Sequence, residues 1–139
     1  MSGGTLIFMK KLIFALAIVV AIAFAGCSDD KEQEQDLAKD IVGTWSFYAE
    51  FDPEDGGWWY LDPGDFDIYT FRADGTGKNE YKYGPYPYTM NFTYNIIGDM
   101  LFTHGMGLDD FSDRFTVTKD ELIVYFGLNG GKDIYKRMQ

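Results

Sequence analysis

Short runs in which large apolar residues alternate with polar ones make up the chain from residue 41 onwards. The clearest run is 89–96, whose apolar positions are Met90, Phe92, Tyr94 and Ile96. A period of two places alternate side chains on opposite faces of a strand, so each run is typical of a half-buried strand. No amphipathic helical pattern occurs in this part, and a single helical turn is predicted just before it, at 37–41. The sequence therefore predicts an all-β domain of eight or nine short strands.

Turn residues separate these runs at intervals of about 8–12 residues, which is the spacing of a barrel or a sandwich. The strongest turn signal is Asp74-Gly75, because this pair accepts the backbone angles of tight hairpins. No connection is long enough for a Greek-key crossover, which favours an antiparallel up-and-down β-barrel. The predicted strands are 44–51, 58–61, 66–72, 77–83, 89–96, 100–103, 114–118, 121–126 and 132–137.

Four motifs in this order resemble the small lipocalin-like domains of Bacteroidota lipoproteins. They are Gly43-x-Trp45, the hairpin Phe71-x-x-Asp74-Gly75-Thr76-Gly77, Tyr94-x-Ile96-x-Gly98-Asp99, and Glu121-Leu122-x-Val124-Tyr125 with a final Tyr135-Lys136-Arg137. The resemblance covers about 41–137 and implies a lipocalin-like barrel. The chain departs from larger lipocalins because its strands are shorter and no helix can follow Phe126. This departure weakens the inference of lipocalin-style transport of a small hydrophobic molecule.

An export signal precedes the domain. Lys10 and Lys11 are followed by 13 apolar residues, 12–24, and then by an Ala-Gly step before Cys27. The apolar run is short for a membrane-spanning helix and typical of a secretory signal. The Gly-Cys step resembles the cleavage site of bacterial lipoprotein precursors, in which the new N-terminal cysteine carries acyl chains such as palmitate. Cys27 is the only cysteine, so it has no disulfide partner within the chain and lipid attachment explains its presence.

An alternative cleavage remains open at this site. Ala23-Phe24-Ala25 also fits the small-x-small pattern of ordinary signal cleavage, which would release a soluble protein. The predicted organisation is a signal peptide at 1–26, an acidic tether at 27–40 and the barrel at 41–139. The tether has too few apolar residues to fold alone. Ser28-Asp29-Asp30 after Cys27 resembles the export signals of Bacteroidota surface lipoproteins. We therefore predict an exported protein, lipid-anchored to the outer membrane, and the sequence leaves open whether it faces the periplasm or the cell surface.

The charge of the exported part narrows the range of partners. The chain has 22 acidic and 12 basic residues, and two of the basic ones lie in the signal, so the exported part carries a formal charge near −12. Nucleic acid and anionic lipid headgroups both need a cationic surface, so neither is predicted as a partner. The membrane is predicted as a partner only through the lipid anchor. The sequence sets no oligomeric state.

Residue patterns that carry catalysis are scarce. His104 is the only histidine, no cysteine remains for nucleophilic chemistry, and no glycine-rich phosphate loop precedes a helix. Two groups of acidic residues are predicted in loops, where charge is expected without a function. They do not follow the 12-residue calcium-loop pattern. The groups are Asp52, Glu54 and Asp55, and Asp109, Asp110 and Asp113. We predict a non-enzymatic protein without a cofactor.

Two binding hypotheses follow from the aromatic residues. In the first, alternate side chains line the barrel interior and bind a small apolar or amphipathic ligand; they are Trp45, Phe47, Tyr81, Tyr83, Met90, Phe92 and Tyr94. The competing interpretation is that the same side chains simply fill the barrel. In the second hypothesis, loop aromatics form a surface that stacks on a glycan or an envelope protein; they are Trp58, Trp59, Tyr60, Tyr86 and Tyr88, beside Tyr83. The competing interpretation is that they plug the barrel mouth.

Overall fold

The computed structural model describes residues 36–107 and 110–139. The signal peptide, Cys27 and the tether up to residue 35 lie outside the described residues. One short helix and nine strands form this part. They are α1 (Leu37–Asp40), β1 (Gly43–Asp52), β2 (Gly57–Trp59), β3 (Phe66–Phe71), β4 (Thr76–Lys82), β5 (Pro87–Ile97), β6 (Met100–His104), β7 (Phe111–Val117), β8 (Glu121–Phe126) and β9 (Gly131–Arg137).

The strands form a closed antiparallel barrel. The order is β2-β1-β3-β4-β5-β6-β7-β8-β9, and β1 also pairs with β9, so eight strands close the barrel and β2 extends one edge of β1. Hairpins join all consecutive strands of this sheet except β2 and β3, which both pair with β1. The predicted all-β up-and-down barrel is confirmed, and the nine strands agree with the predicted nine within a few residues at each end.

Because the strands run up and down, successive connections alternate between two ends of the barrel. We call the end that holds α1 and the turns at 72–75, 98–99 and 118–120 the closed end. The end that holds the connecting residues 53–56, 83–86, 105–107 and 127–130 is the open end. At the closed end, Gly75 has a φ of 82°, which the Asp74-Gly75 hairpin requires and which other residues rarely adopt.

Trp45 seals the closed end. Its side chain is fully buried, and its indole Nε1 donates a hydrogen bond of 2.8 Å to the carbonyl oxygen of Ile41. The guanidinium of Arg137 lies 4.0 Å from the centre of the ring and donates to the carbonyl oxygens of Val42 and Asp40. The core continues from this point through Ile41, Trp45, Phe71, Phe92, Leu101, Phe115, Val117, Leu122 and Tyr135. All of these residues lie within the barrel domain, so this part of the chain carries its own core.

Helix α1 lies inside the segment that the sequence assigns to the tether. Asp36 caps this single turn by accepting a hydrogen bond from the backbone N–H of Lys39 at 3.3 Å. Leu37 packs against the core, which gives this turn an apolar contact that the acidic composition did not indicate. Folded structure therefore reaches back to residue 36, five residues before the predicted boundary. No helix among the described residues is long and apolar enough to cross a bilayer.

A β-bulge in β1 shifts the alternation of its side chains, so residues after the bulge point to the face opposite to the one that a regular strand would give them. Phe47 pairs with Tyr135 and Ala49 with Ile134, so Tyr48 is an extra residue opposite β9. After the bulge, Glu50 pairs with Asp133 and shares the inner face with it, whereas Phe51 pairs with Lys132 on the outer face. Strict alternation along the predicted strand 44–51 puts Phe51 on the inner face of Trp45 and Phe47, and the bulge shows that this interpretation is wrong. Glu50 takes the inner position instead.

Candidate functional site

A cavity of about 100 Å³ remains inside the barrel, between the core at the closed end and the open end. We call this space the interior cavity. One of the residues that line it, Phe111, is 40% exposed. Its walls come from five strands and combine aromatic, aliphatic and polar side chains. They are Tyr69, Phe71, Leu101, Thr103, Phe111, Asp113, Leu122, Val124, Asp133 and Tyr135.

The aromatic part of the wall is held rigidly. The rings of Tyr69 and Tyr135 meet edge to face with centres 5.5 Å apart, and Tyr69 stacks on Phe71 at 6.1 Å. Tyr135 also meets Phe47 edge to face at 5.6 Å. Such arrangements are the favoured geometries of aromatic pairs. The cavity is therefore bounded by fixed rings.

A hydrogen-bonded group lies next to the cavity on β3 and β4. Asp67 is 9% exposed and Asn79 is 3% exposed, and Asn79 Nδ2 donates to Asp67 Oδ1 at 2.6 Å. The hydroxyl of Tyr83 donates to the other oxygen, Asp67 Oδ2, at 2.8 Å. Both carboxylate oxygens therefore have partners. Burial nevertheless raises the pKa of Asp67, against the lowering effect of these two hydrogen bonds.

Two polar atoms on the cavity wall have no such partner. Among the described residues, Thr103 Oγ1 and Asp133 Oδ1 are the buried side-chain oxygens or nitrogens without a hydrogen bond. Thr103 is only 2% exposed. Buried polar groups in native proteins nearly always have a partner, and leaving one without costs about 1–3 kcal/mol. Both residues line the interior cavity, so a bound molecule there is a candidate partner for these oxygens.

The carboxyl groups near the cavity resist ionisation. Burial is the main cause that raises the pKa of Asp133 to about 7, and the negative charges of Glu50, Asp67 and Asp113 add to it. Burial also raises the pKa of Asp113. No lysine, arginine or histidine among the described residues lines the cavity. The cavity is thus an acidic site without a cationic partner of its own.

The seven predicted interior residues lie elsewhere than on this wall. Trp45 and Phe92 are buried in the core, and Phe92 packs so closely over Gly77 that a Cβ there would lie 2.2 Å from the ring. Four others are partly buried: Phe47, Tyr81, Met90 and Tyr94. Tyr83 is 48% exposed and holds Asp67. None of the seven lines the interior cavity, because the bulkiest of them fill the barrel.

The predicted surface aromatics are exposed and rest on neighbouring side chains. Trp58 and Trp59 are each half exposed, and Tyr60, Tyr86 and Tyr88 are exposed as well. Trp58 meets Phe51 with ring centres 5.1 Å apart on the outer face. Trp59 lies 5.8 Å from Phe47, so it leans over the interior at the open end. These residues form an exposed surface, and their role in binding stays a prediction.

Asp109 lies outside the described residues, and among those described the other predicted acidic residues and His104 form no recognisable reaction centre. His104 Nδ1 lies 3.0 Å from Asp110 Oδ2, and both side chains are more than half exposed. Among the described residues, no three of His, Cys, Asp or Glu are placed to hold a metal ion. The prediction that Asp113 lies in a loop is wrong. Strand β7 begins at Phe111, so Asp113 is a strand residue that pairs with Leu101 and lines the cavity.

Sequence reasoning missed Thr103, Asp113 and Asp133 as site residues. The signal for Asp133 was present, because it alternates with Tyr135 in the last predicted strand and must share its face. Asp67 alternates with Tyr69 in the same way. A charged residue two positions from a buried aromatic residue in the same strand shares its face, and this pattern indicates a polar interior.

Comparisons with known proteins agree on the fold. The profile of a family described as lipocalin-like domain matches residues 41–124. Among solved structures, a lipocalin-like protein from Bacteroides uniformis ATCC 8492, whose crystal structure was determined at 1.79 Å resolution, is similar with a TM-score of 0.59 and 15% sequence identity. The match covers 71% of this chain and 99% of that one. At this identity the likeness concerns the fold alone. The comparison with curated proteins gave no match.

Proposed function

The chain belongs to the lipocalin-like domain family, and we propose that it is a non-enzymatic binding protein that holds a small amphipathic ligand in its interior cavity. The observation that carries this proposal is the composition of the cavity wall. Fixed aromatic and aliphatic side chains surround two buried oxygens that have no partner among the described residues. Ligand pockets generally combine apolar walls with a few convergent polar groups.

The size of the cavity limits the ligand. Pockets for drug-sized molecules have volumes of about 300–1,000 Å³, whereas this cavity measures about 100 Å³. Since a water molecule takes about 30 Å³ of liquid volume, the space equals that of about three water molecules and limits the ligand to a few non-hydrogen atoms. A fatty acid or a larger hydrophobic molecule does not fit without displacement of wall residues.

A second candidate function rests on the exposed aromatics of the open end. Trp58, Trp59 and Tyr60 are each at least half exposed, and rings fixed by neighbours such as Phe51 and Phe47 suit stacking on a sugar ring or a protein surface. In this alternative the protein is an interaction module for a glycan or an envelope protein, and the interior cavity has no ligand.

Native mass spectrometry separates the two candidates. The exported chain, residues 27–139, is purified gently from its own host cells and compared with the Val124→Phe variant, whose larger ring occupies the cavity. We expect a small added mass on the wild-type protein that Val124→Phe removes and that Trp58→Ala retains. An added mass lost in Trp58→Ala and kept in Val124→Phe would support the surface module instead. Circular dichroism checks that both variants are folded.

We further propose that the protein is anchored to the outer membrane through acyl chains on Cys27. The support is the signal at 9–26, the Gly-Cys step and the absence of any other cysteine. Two or three acyl chains anchor a protein stably, whereas one does not. Replacing Cys27 by Ala is expected to release the protein from the membrane fraction, whereas Ser28→Ala keeps it there. If the Cys27→Ala protein stays in the membrane fraction in full, lipid anchoring at this residue is wrong.

A further inference from the structure

Four carboxyl groups lie on or near the wall of the interior cavity, and no lysine, arginine or histidine of the described residues lines it to compensate their ionised forms. Asp113 and Asp133 line it directly, and Glu50 faces Asp133 across the β1–β9 pair. Asp67 adds a fourth carboxyl on β3 and contributes to the charge felt by Asp133. Arg137 also belongs to β9, but its guanidinium is committed to backbone carbonyls at the closed end.

The two buried oxygens without partners, Thr103 Oγ1 and Asp133 Oδ1, can each accept a hydrogen bond from a ligand. A carboxylate oxygen can only accept, and Asp133 Oδ1 has no donor among the described residues. Thr103 Oγ1 both donates and accepts, so a hydrogen-bond donor satisfies it as well. Thr103 pairs with Phe111, which also lines the cavity, across β6 and β7.

The rest of the wall suits a cation with an apolar body. The rings of Tyr69, Phe71, Phe111 and Tyr135 offer faces to which a cation is attracted, and Leu101, Leu122 and Val124 offer aliphatic contact. A metal ion fits poorly, because hard cations need several oxygen ligands and no group of three ligating side chains occurs in the described residues.

We infer that the ligand of the interior cavity is a small primary amine, bound as its ammonium ion. The N–H groups donate to Asp133 Oδ1 and Thr103 Oγ1, the positive charge compensates Asp133 and Asp113, and the short carbon chain packs against the aromatic and aliphatic wall. This inference rests on the proposed function and adds the chemical class of the ligand.

The charge of Asp133 makes binding depend on pH. The pKa of about 7 means that the carboxyl of the free protein is partly protonated near neutral pH. An ammonium ion favours the ionised form, so affinity rises as the pH passes from 6 to 8. The other acidic groups that face Asp133 are Glu50 on β1, Asp67 on β3 and Asp113 on β7. Burial raises the pKa values of Tyr69, Tyr83 and Tyr135, so these phenols stay neutral in this range.

The test is calorimetric titration of residues 27–139 with isobutylammonium chloride, and with isobutanol as a neutral probe of the same size. A ligand of about five non-hydrogen atoms reaches at best a Kd of about micromolar, so the titration extends to the millimolar range. We expect isobutylammonium to bind at least about tenfold more tightly than isobutanol at pH 8, and its affinity to fall by about three- to tenfold at pH 6.

Isosteric variants identify the groups responsible. Asp133→Asn is expected to weaken isobutylammonium binding by about tenfold or more and to remove the pH dependence, and Thr103→Val to weaken it severalfold. Asp62→Asn, an equal charge change at an exposed residue, changes it by less than about twofold. Equal binding of isobutanol, or an unchanged affinity in Asp133→Asn, overturns the inference while the proposed function stands. If neither probe binds and a crystal structure has water bridging Thr103 and Asp133, the inference fails. The proposed function then also fails if native mass spectrometry finds no added mass.

Discussion

Replacing Trp45 by Ala is expected to lower the free energy of unfolding by about 3–5 kcal/mol, the usual cost of removing a fully buried tryptophan. The side chain is 0% exposed, so its loss leaves a cavity at the closed end. It also removes the donor to the Ile41 carbonyl and the ring beneath Arg137. Domains of this size have a total stability of about 5–15 kcal/mol, so the variant loses a large share of it.

Urea denaturation of residues 27–139, followed by far-ultraviolet circular dichroism, measures this change. The matched control is Trp58→Ala, because Trp58 is half exposed and its ring contacts Phe51 and Lys132 on the outer face. It should cost less than about 1 kcal/mol, as most surface substitutions do. A Trp45→Ala variant that is no less stable than Trp58→Ala would contradict the role of Trp45 as the seal of the closed end.

Replacing Asp133 by Asn is expected to raise the free energy of unfolding at pH 8 by on the order of 1–3 kcal/mol, after allowance for partial solvent screening. In the wild-type protein the pKa of Asp133 rises from 3.8 to about 7 on folding. Below about pH 4 the carboxyl is protonated in both states. Between pH 4 and 7 the unfolded chain loses this proton and the folded protein keeps it, so stability falls as pH rises and levels off above 7.

The same denaturation measured at pH 4.5 and pH 8 tests this expectation. The wild-type protein should be more stable at pH 4.5, with Asp67 and Asp113 contributing in the same direction because burial raises their pKa values too. Asp133→Asn should narrow the difference between the two pH values, whereas Asp62→Asn, an exposed side chain, should leave it in place. A wild-type protein that gains stability from pH 4.5 to pH 8 would show that these buried carboxyls do not govern its pH dependence.

The barrel could be predicted from the sequence because its signals are local. Alternation within each run and the Asp74-Gly75 turn depend on neighbours in the chain, and the structure places nine strands where these signals occur. The inward facing of Asn79 and Phe92 followed from the same period of two, and both are buried. Each of these features needs no knowledge of distant residues.

The bulge at Tyr48 could not be predicted, because it depends on how β1 meets β9 about 90 residues later. It turns Phe51 outwards and brings Glu50 to the side of Asp133. The start of β7 was missed for a related reason. The acidic residues at 109–113 suggested a loop, whereas the pairing of Phe111 with Thr103 extends the strand. Tertiary pairing outweighed local composition in both places.

The position of the interior cavity also could not be predicted from the sequence. The alternating aromatics predicted an inward face, and that face exists. Which of its members fill the barrel and which leave space depends on packing between strands. The large side chains of Trp45 and Phe92 fill the barrel where they lie, and the cavity remains beside the smaller side chains of Thr103 and Val124. Asp133 and Thr103 also line the cavity and make its wall partly polar.

Methyl nuclear magnetic resonance shows whether the interior cavity binds a ligand. Residues 27–139, labelled at the methyl groups of Leu, Ile and Val, are titrated with isobutylammonium chloride. We expect saturable shifts at Leu101, Leu122 and Val124, which line the cavity, and unchanged signals from the exposed Ile97 and from Val42 at the closed end. Cavity methyl groups that stay unchanged while Ile97 or Val42 shifts would contradict binding in the cavity, and so would the lack of any saturable shift together with no added mass in native mass spectrometry.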